Sequence, residues 1–188
     1  MRKNIGIKPA IFPMPVLMIA TYNEDNSVDV MNAAWGMMVD NNVIALNLTE
    51  THKTVKNIKA RGAFTVSIAD VSHLKEADYF GIVSSNKVKD KFLRTNLTAS
   101  KSDMIDAPII EEFPVTMECK FFEYQDNDFG CGVIGEIVNV SVLEEVIDEN
   151  NNVNPTKINA LIYEPFNHGY YSVGKKVGNA FKDGQDLK

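Results

Sequence analysis

The sequence predicts a mainly β fold: an antiparallel barrel, closed or nearly closed on itself, carrying a few short helices. Five to seven short runs of strand character alternate with turn residues, and only about three segments show helical periodicity. The chain has 188 residues, 45% apolar and 23% charged, which is enough to bury one real core. A sheet of so few strands would leave exposed edges, and closure removes them; a β-sandwich is the structural alternative. No internal repeat and no linker divides the chain, so we expect a single domain over residues 1–188.

Taken in order, residues 15–21 ("PVLMIAT"), 28–35 ("VDVMNAAW") and 43–49 ("VIALNLT") read as strands of a meander, separated by the turns "YNEDNS" and "DNN". The period then changes. Thr51, Thr54, Val55 and Ile58 fall at i, i+3, i+4 and i+7, with Gly62 placed to stop a short amphipathic helix. Strand character returns over residues 63–69. "VSHLKEADYFGIVS" and "NKVKDKFLRT" then read as two helical pieces broken near residues 81–86. Residues 95–114, with Pro108 and Pro114 and no sustained period, read as a long crossover into a hairpin of "VTMECKFFEY" and "CGVIGEIVNVSV" about the turn "QDNDFG". That hairpin would put Tyr124 near Cys131 and Cys119 near Glu136. An Asn-rich loop, a strand at "KINALIYE" and the tail "YYSVGKKVGNAF" complete the chain.

Composition excludes several function classes. A formal charge of −6 and a pI near 5.1 argue against a general nucleic-acid or anionic-membrane partner, which would reward clustered Lys and Arg, so any phosphate chemistry must be local. Pro9, Pro13 and Pro15 interrupt the stretch where a signal peptide would be helical. No apolar run approaches the roughly 20 residues of a spanning helix. We expect a cytoplasmic protein, in which the Asn-X-Ser/Thr triplets at Asn47, Asn96 and Asn139 are not glycosylation sites. Cys119 and Cys131 lack the short-spaced pairing of a zinc site, are not expected to face each other, and read as free thiols.

Two positive islands stand on this acidic chain: Lys53, Lys56, Lys59 and Arg61, and then Lys87, Lys89, Lys91 and Arg94 against Asp90 alone. Cations on a solvated helix face account for most of them. Lys53 differs, because the macrodipole disfavours a cation in the first turn of a helix unless an anion is present. In "TETHKT" a strand ends and a helix begins, so unpaired N–H groups point outward beside His52, Lys53 and the hydroxyls of Thr49, Thr51 and Thr54. A phosphate would be held there. With no ligand, Thr51 would be a plain N-cap and its neighbours solvated.

The lone tryptophan follows Asn32, Ala33 and Ala34 and precedes Gly36. A flat aromatic ligand needs a backbone wall with nothing projecting from it, and these residues supply one, with an amide from Asn32. The strand would lie beside Leu48 to Thr54 in an antiparallel pair. The alternative is that small residues let Trp35 pack, or let the strand bend at Gly36.

"PAIFPMPVLMIAT", "NAAWGMM", "LNLTETHKTVKNIKARGAFTVSI", "GIVSSNKVKDKF" and "YYSVGKKVGNAF", in this order and spacing, resemble the flavin reductase-like family, in particular its flavoredoxin branch. The resemblance runs from about Pro9 to Phe181. It implies an FMN-binding split barrel of Greek-key antiparallel strands, assembled as a homodimer with one FMN per subunit near the interface. It implies isoalloxazine against Asn32, Ala33, Ala34 and Trp35, with Leu48 nearby. The phosphate would lie among Thr49, Thr51, Lys53 and Thr54, with Asn57 one turn on, and Ser84, Ser85 and Lys91 would close over it. Two residues depart from the family pattern: Ser85 stands where glycine is common, and Ser67 where asparagine is common.

Flavin carries its own redox chemistry, so the chain needs no nucleophile or metal, and we name no catalytic acid or base. His52, His73 and His168 are too scattered to suggest a metal site, and each suits a structural or surface role better than a catalytic one. The expectation is a redox protein working through bound FMN: an NAD(P)H-dependent flavin reductase, or a non-enzymatic carrier that exchanges electrons with a partner protein. A barrel-shaped binding module without redox activity is the remaining alternative.

Overall fold

The strand-forming runs of the first third pair as two hairpins, yet these hairpins end up at opposite edges of one sheet. A computed structural model describes residues 1–126 and 132–187. In chain order the elements are β1 (Met14–Pro15), β2 (Leu17–Tyr22), β3 (Val28–Ala33), β4 (Gly36–Asp40), β5 (Val43–Leu46), α1 (Lys53–Arg61), β6 (Ala63–Ile68) and α2 (Leu74–Ile82). There follow β7 (Ala99–Lys101), β8 (Pro108–Ile110), β9 (Val115–Gln125), β10 (Gly132–Val142), α3 (Pro155–Ile158), β11 (Leu161–Glu164) and β12 (Gly169–Ser172).

Seven strands form one antiparallel sheet in the order β3-β2-β6-β9-β10-β5-β4. Its edge strands β3 and β4 are consecutive in the chain, separated only by Ala34 and Trp35. Two residues span about 10 Å between the flanking Cα atoms at most, so the sheet must curl until its edges almost meet. The result is a barrel split along one seam, bridged by backbone rather than by a ladder. This corrects the expected single strand over residues 28–35 and the expected pairing of Asn32 to Trp35 with Leu48 to Thr54. Asn32 instead pairs with Met18 on β2. Trp35 reaches the other side through its carbonyl, which accepts from the Asn47 N–H at 2.8 Å.

The curl separates the two larger cores. Inside the barrel lie Leu17, Ile19, Leu46, Phe64, Val66, Cys119 and Val133, and α1 plugs one end with Val55 and Ile58. Each of those two plug residues is fully buried, worth about 1.5–3 kcal/mol apiece. The helix stops where expected, at Gly62, whose φ of 68° is left-handed and whose N–H bonds the Ile58 carbonyl at 2.8 Å. Outside the barrel, Met18, Ala20 and Val30 pack with Ala77 and Phe80 of α2, with Ile110, and with Leu161 of the small sheet β1-β11-β12. Strand β2 is thus buried on both faces, as its continuous apolar run requires.

Other expectations are corrected locally. Residues 86–95 form no α-helix, only a single 3₁₀ turn at Phe92–Arg94, because Lys91 and Phe92 are drawn into the interior rather than lying on a regular helical face. The crossover holds the short hairpin β7-β8. In the strand expected over 157–164, α3 occupies the start and Leu161–Glu164 alone is extended. The β9-β10 hairpin forms, but register shifts place Cys119 opposite Ile137 rather than Glu136, and Tyr124 opposite Val133. Most of its turn, and Cys131 with it, lies outside the described residues.

Candidate functional site

Two adjoining cavities, about 380 and 200 Å³, form a groove across the seam and share Met31, Asn32, His52, Gly81 and Ile82. Together they have the size of a small-molecule cofactor site, about 300–1,000 Å³. In the larger cavity one wall is the β3–β4 corner, Ala33, Ala34 and Trp35, continued by Asn47 and Leu48; opposite stand Asp78, Tyr163 and Tyr170. The corner must be slim. A Cβ on Gly36 would come within 2.9 Å of Leu46 Cδ2 and would also strike Leu17, both in the barrel core. Asn32 Nδ2 is anchored on the Ala77 carbonyl at 2.8 Å. On the facing wall Tyr170 donates to Asp78 Oδ1 at 3.0 Å, and its hydroxyl is pushed up to about 12, first by burial and then by that carboxylate.

The smaller cavity is lined by His52, Lys53 and Thr54 from the start of α1 and by Ser84, Ser85 and Lys91 from the segment after α2. The N-cap of α1 is His52, not Thr51. It makes no side-chain cap, and no acidic residue occupies the first turn, so the helix supplies no anion of its own to its positive end. Lys91 is 3% exposed, and its ammonium donates to the Phe80 carbonyl at 3.1 Å. Burial pulls its pKa below the ordinary lysine value, opposed by the charge of Asp29. Asp29 itself is buried, accepting from Thr54 Oγ1 at 2.6 Å and from the Ser85 hydroxyl.

The groove therefore gathers Asn32, Ala33, Ala34, Trp35 and Leu48 at one end and Lys53, Thr54, Ser84, Ser85 and Lys91 at the other. It does not take in the remaining three. Thr49 is exposed outside both cavities, and Thr51, also exposed, uses its carbonyl to accept from Asn86 at 3.1 Å. Asn57 is buried, with its amide spent on Thr21 at 3.1 Å and Asn23 at 2.9 Å. Ser67, one of the departures from the family pattern, is a buried partner of Thr116 at 2.8 Å.

The sequence-based expectation missed Asp29, Asp78, Tyr163 and Tyr170. Only Asp29 carried a signal, as a carboxylate set between two valines in a strand. Of the histidines, His52 lines the groove, whereas His73 pairs with Asp70 and His168 with Tyr163, each at 2.6 Å. Among the described residues no group of side chains is arranged to hold a metal ion, and no helix is long and apolar enough to cross a membrane.

The groove offers a bare backbone wall at one end and an uncapped helix start with two lysines at the other, a donor set that fits a planar ring system carrying a phosphate. The flavin reductase like domain model matches residues 10–173. Flavoredoxin of Desulfovibrio vulgaris (Miyazaki F) is similar at 32% identity with a TM-score of 0.92, covering 98% of this chain and 100% of that one. Flavoredoxin from Methanosarcina acetivorans is similar at 24% identity with a TM-score of 0.87, each chain covered in full. An uncharacterized protein of Aquifex aeolicus (strain VF5) is 24% identical over 78% of each chain. With the family model spanning nearly the whole fold and the barrel split at the corner that shapes its groove, the chain belongs to the flavin reductase-like family.

Proposed function

We propose that the chain binds FMN in this groove and works as a redox protein of the flavin reductase type, taking hydride from NADH or NADPH. The observation that carries the proposal is the continuity of the two cavities: a flat, small-residue wall at Ala33 to Trp35 opens directly into a pocket lined by Lys53, Thr54 and Lys91. Bound FMN would supply the hydride or single-electron chemistry. The chain's own residues would orient and shield it. Backbone at the corner would lie against the ring, Asn32 would offer its amide edge, and the N–H groups of the first turn of α1 together with Lys53 and Lys91 would meet the phosphate. Tyr163 and Tyr170 would form the far side, where a nicotinamide could approach.

A second role, a non-enzymatic electron carrier serving a partner protein, is favoured by the 32% identity to a flavoredoxin across almost the entire chain. One set of measurements tests both. FMN should bind much more tightly than riboflavin, since riboflavin lacks the phosphate; equal affinities would remove the assignment of the smaller pocket. Turnover of NADH or NADPH with FMN bound supports the enzyme, and electron exchange without such turnover supports the carrier. We also propose that the working unit is a homodimer, argued below from its exposed edge strand.

A further inference from the structure

We infer that Asp29 is a specificity-determining positioning residue, an internal anion that occupies the hydroxyls of Thr54 and Ser85 and competes with the phosphate of FMN for them. The inference rests on the assignment of the phosphate to the smaller pocket. Both hydroxyls belong to residues lining that pocket, one on α1 and one on the segment after α2, and both are directed at the two oxygens of a single carboxylate on β3. Asp29 is 2% exposed and, among the described residues, makes no salt bridge within 4.0 Å. A buried carboxylate in that position must keep its donors or suffer desolvation.

Donor arithmetic decides the consequence. A serine or threonine hydroxyl has one proton to give, and a phosphate dianion only accepts. While Asp29 holds both protons, Thr54 and Ser85 turn lone pairs toward an incoming phosphate. Binding then requires them to swing from Asp29 to the ligand, leaving the carboxylate to Lys91, whose ammonium has one bond, to Phe80, and protons to spare. Two negative charges would also share a poorly solvated region. Replacing Asp29 by asparagine keeps the shape, removes the charge, and lets the amide donate to one hydroxyl, which frees that hydroxyl's proton for the ligand.

The test uses full-length protein freed of flavin, with FMN and riboflavin titrated separately into wild type and Asp29→Asn at fixed pH 8, together with ¹³C NMR of the Asp29 carboxylate in the wild type. We expect Asp29→Asn to bind FMN about tenfold more tightly while riboflavin affinity moves by less than about twofold. A merely structural role would move both ligands together. Weaker or unchanged FMN binding, or an equal shift for both ligands, overturns the inference. Should the variant not fold, the wild-type carboxylate decides: its resonance shifts on adding FMN and stays with riboflavin, and a resonance unmoved by FMN overturns the inference. If wild type does not prefer FMN to riboflavin, the phosphate assignment fails and this inference falls with it; if it does and Asp29→Asn changes nothing, only the role of Asp29 is lost.

Discussion

Lys91 shows how a residue's role differs from its appearance in sequence. It stood among four cations in eight residues, a pattern that suits a solvated face, and is instead one of the most buried side chains near the groove. An ammonium held there with one protein acceptor is available to a phosphate, so Lys91→Met should weaken FMN by about 1.5–3 kcal/mol, the worth of a charged hydrogen bond, and leave riboflavin unchanged. Lys53 is partly exposed and already faces Glu24 at 3.7 Å, so Lys53→Ala should cost less, about 1 kcal/mol. Flavin fluorescence titration measures both. Cys119 is the opposite case, a thiol with no task. Burial, then Glu118, push it up to about 12. The folded thiol keeps its proton where the unfolded one loses it, so this contribution to stability is complete below about pH 8.5 and is lost as pH climbs toward 12. In a Cys131→Ser background, a thiol reagent at pH 8 should therefore label Cys119 only once denaturant unfolds the chain; rapid labelling of native protein would contradict its place in the barrel core.

At the scale of elements, what could be read in advance was whatever a local pattern determines. The α1 helix declared itself by its period and by Gly62, and β2 by its uninterrupted apolar run, because both are set within about ten residues. The β3–β4 corner did not, since nothing in "MNAAWGMMV" says that the strands before and after Trp35 lie six positions apart in the sheet; that is decided by partners as distant in the chain as Val43 and Glu136. The same limit hid Asp29, whose two donors come from 25 and 56 residues downstream, and it hid the register shifts in β9-β10. The corner makes a sharp prediction. Ala33 lines the larger cavity but also packs against the barrel core, whereas Ala34 lines the cavities on both sides of the corner and is absent from that core. Ala33→Leu should destabilise the fold by about 1–3 kcal/mol through overpacking. Ala34→Leu should abolish flavin binding with the unfolding midpoint of the flavin-free protein unchanged. Unfolding curves and flavin content of the two variants separate a cofactor wall from ordinary packing.

For the whole molecule, the split barrel solves one edge and leaves another. The β3 edge is attended by α2, through Asn32 and the Ala77 carbonyl. The β4 edge is bare and apolar: Trp35 is 50% exposed, Met37 59%, Met38 49% and Val39 47%. An edge strand with such a surface is a ready template for another chain, and charges normally guard it. Beside it lies a largely apolar cavity of about 370 Å³, formed by Ile11, Pro13, Met14 and Pro15 with Trp35 and Met37. A second copy of the chain, meeting the first about a two-fold axis, would cover this surface twice over in one closed contact. The cavity shares Ala34, Trp35 and Asn47 with the groove proposed to bind FMN, so covering it would also brace that wall from behind. Sedimentation should accordingly give a particle of twice the 20.9 kDa chain mass. The double variant Met37→Asp, Val39→Lys should shift it to monomer and weaken FMN at least about fivefold without unfolding the barrel, since only the outer side of the corner loses its support. A wild-type monomer carrying a full complement of tightly held flavin would show that the bare β4 edge has some other purpose.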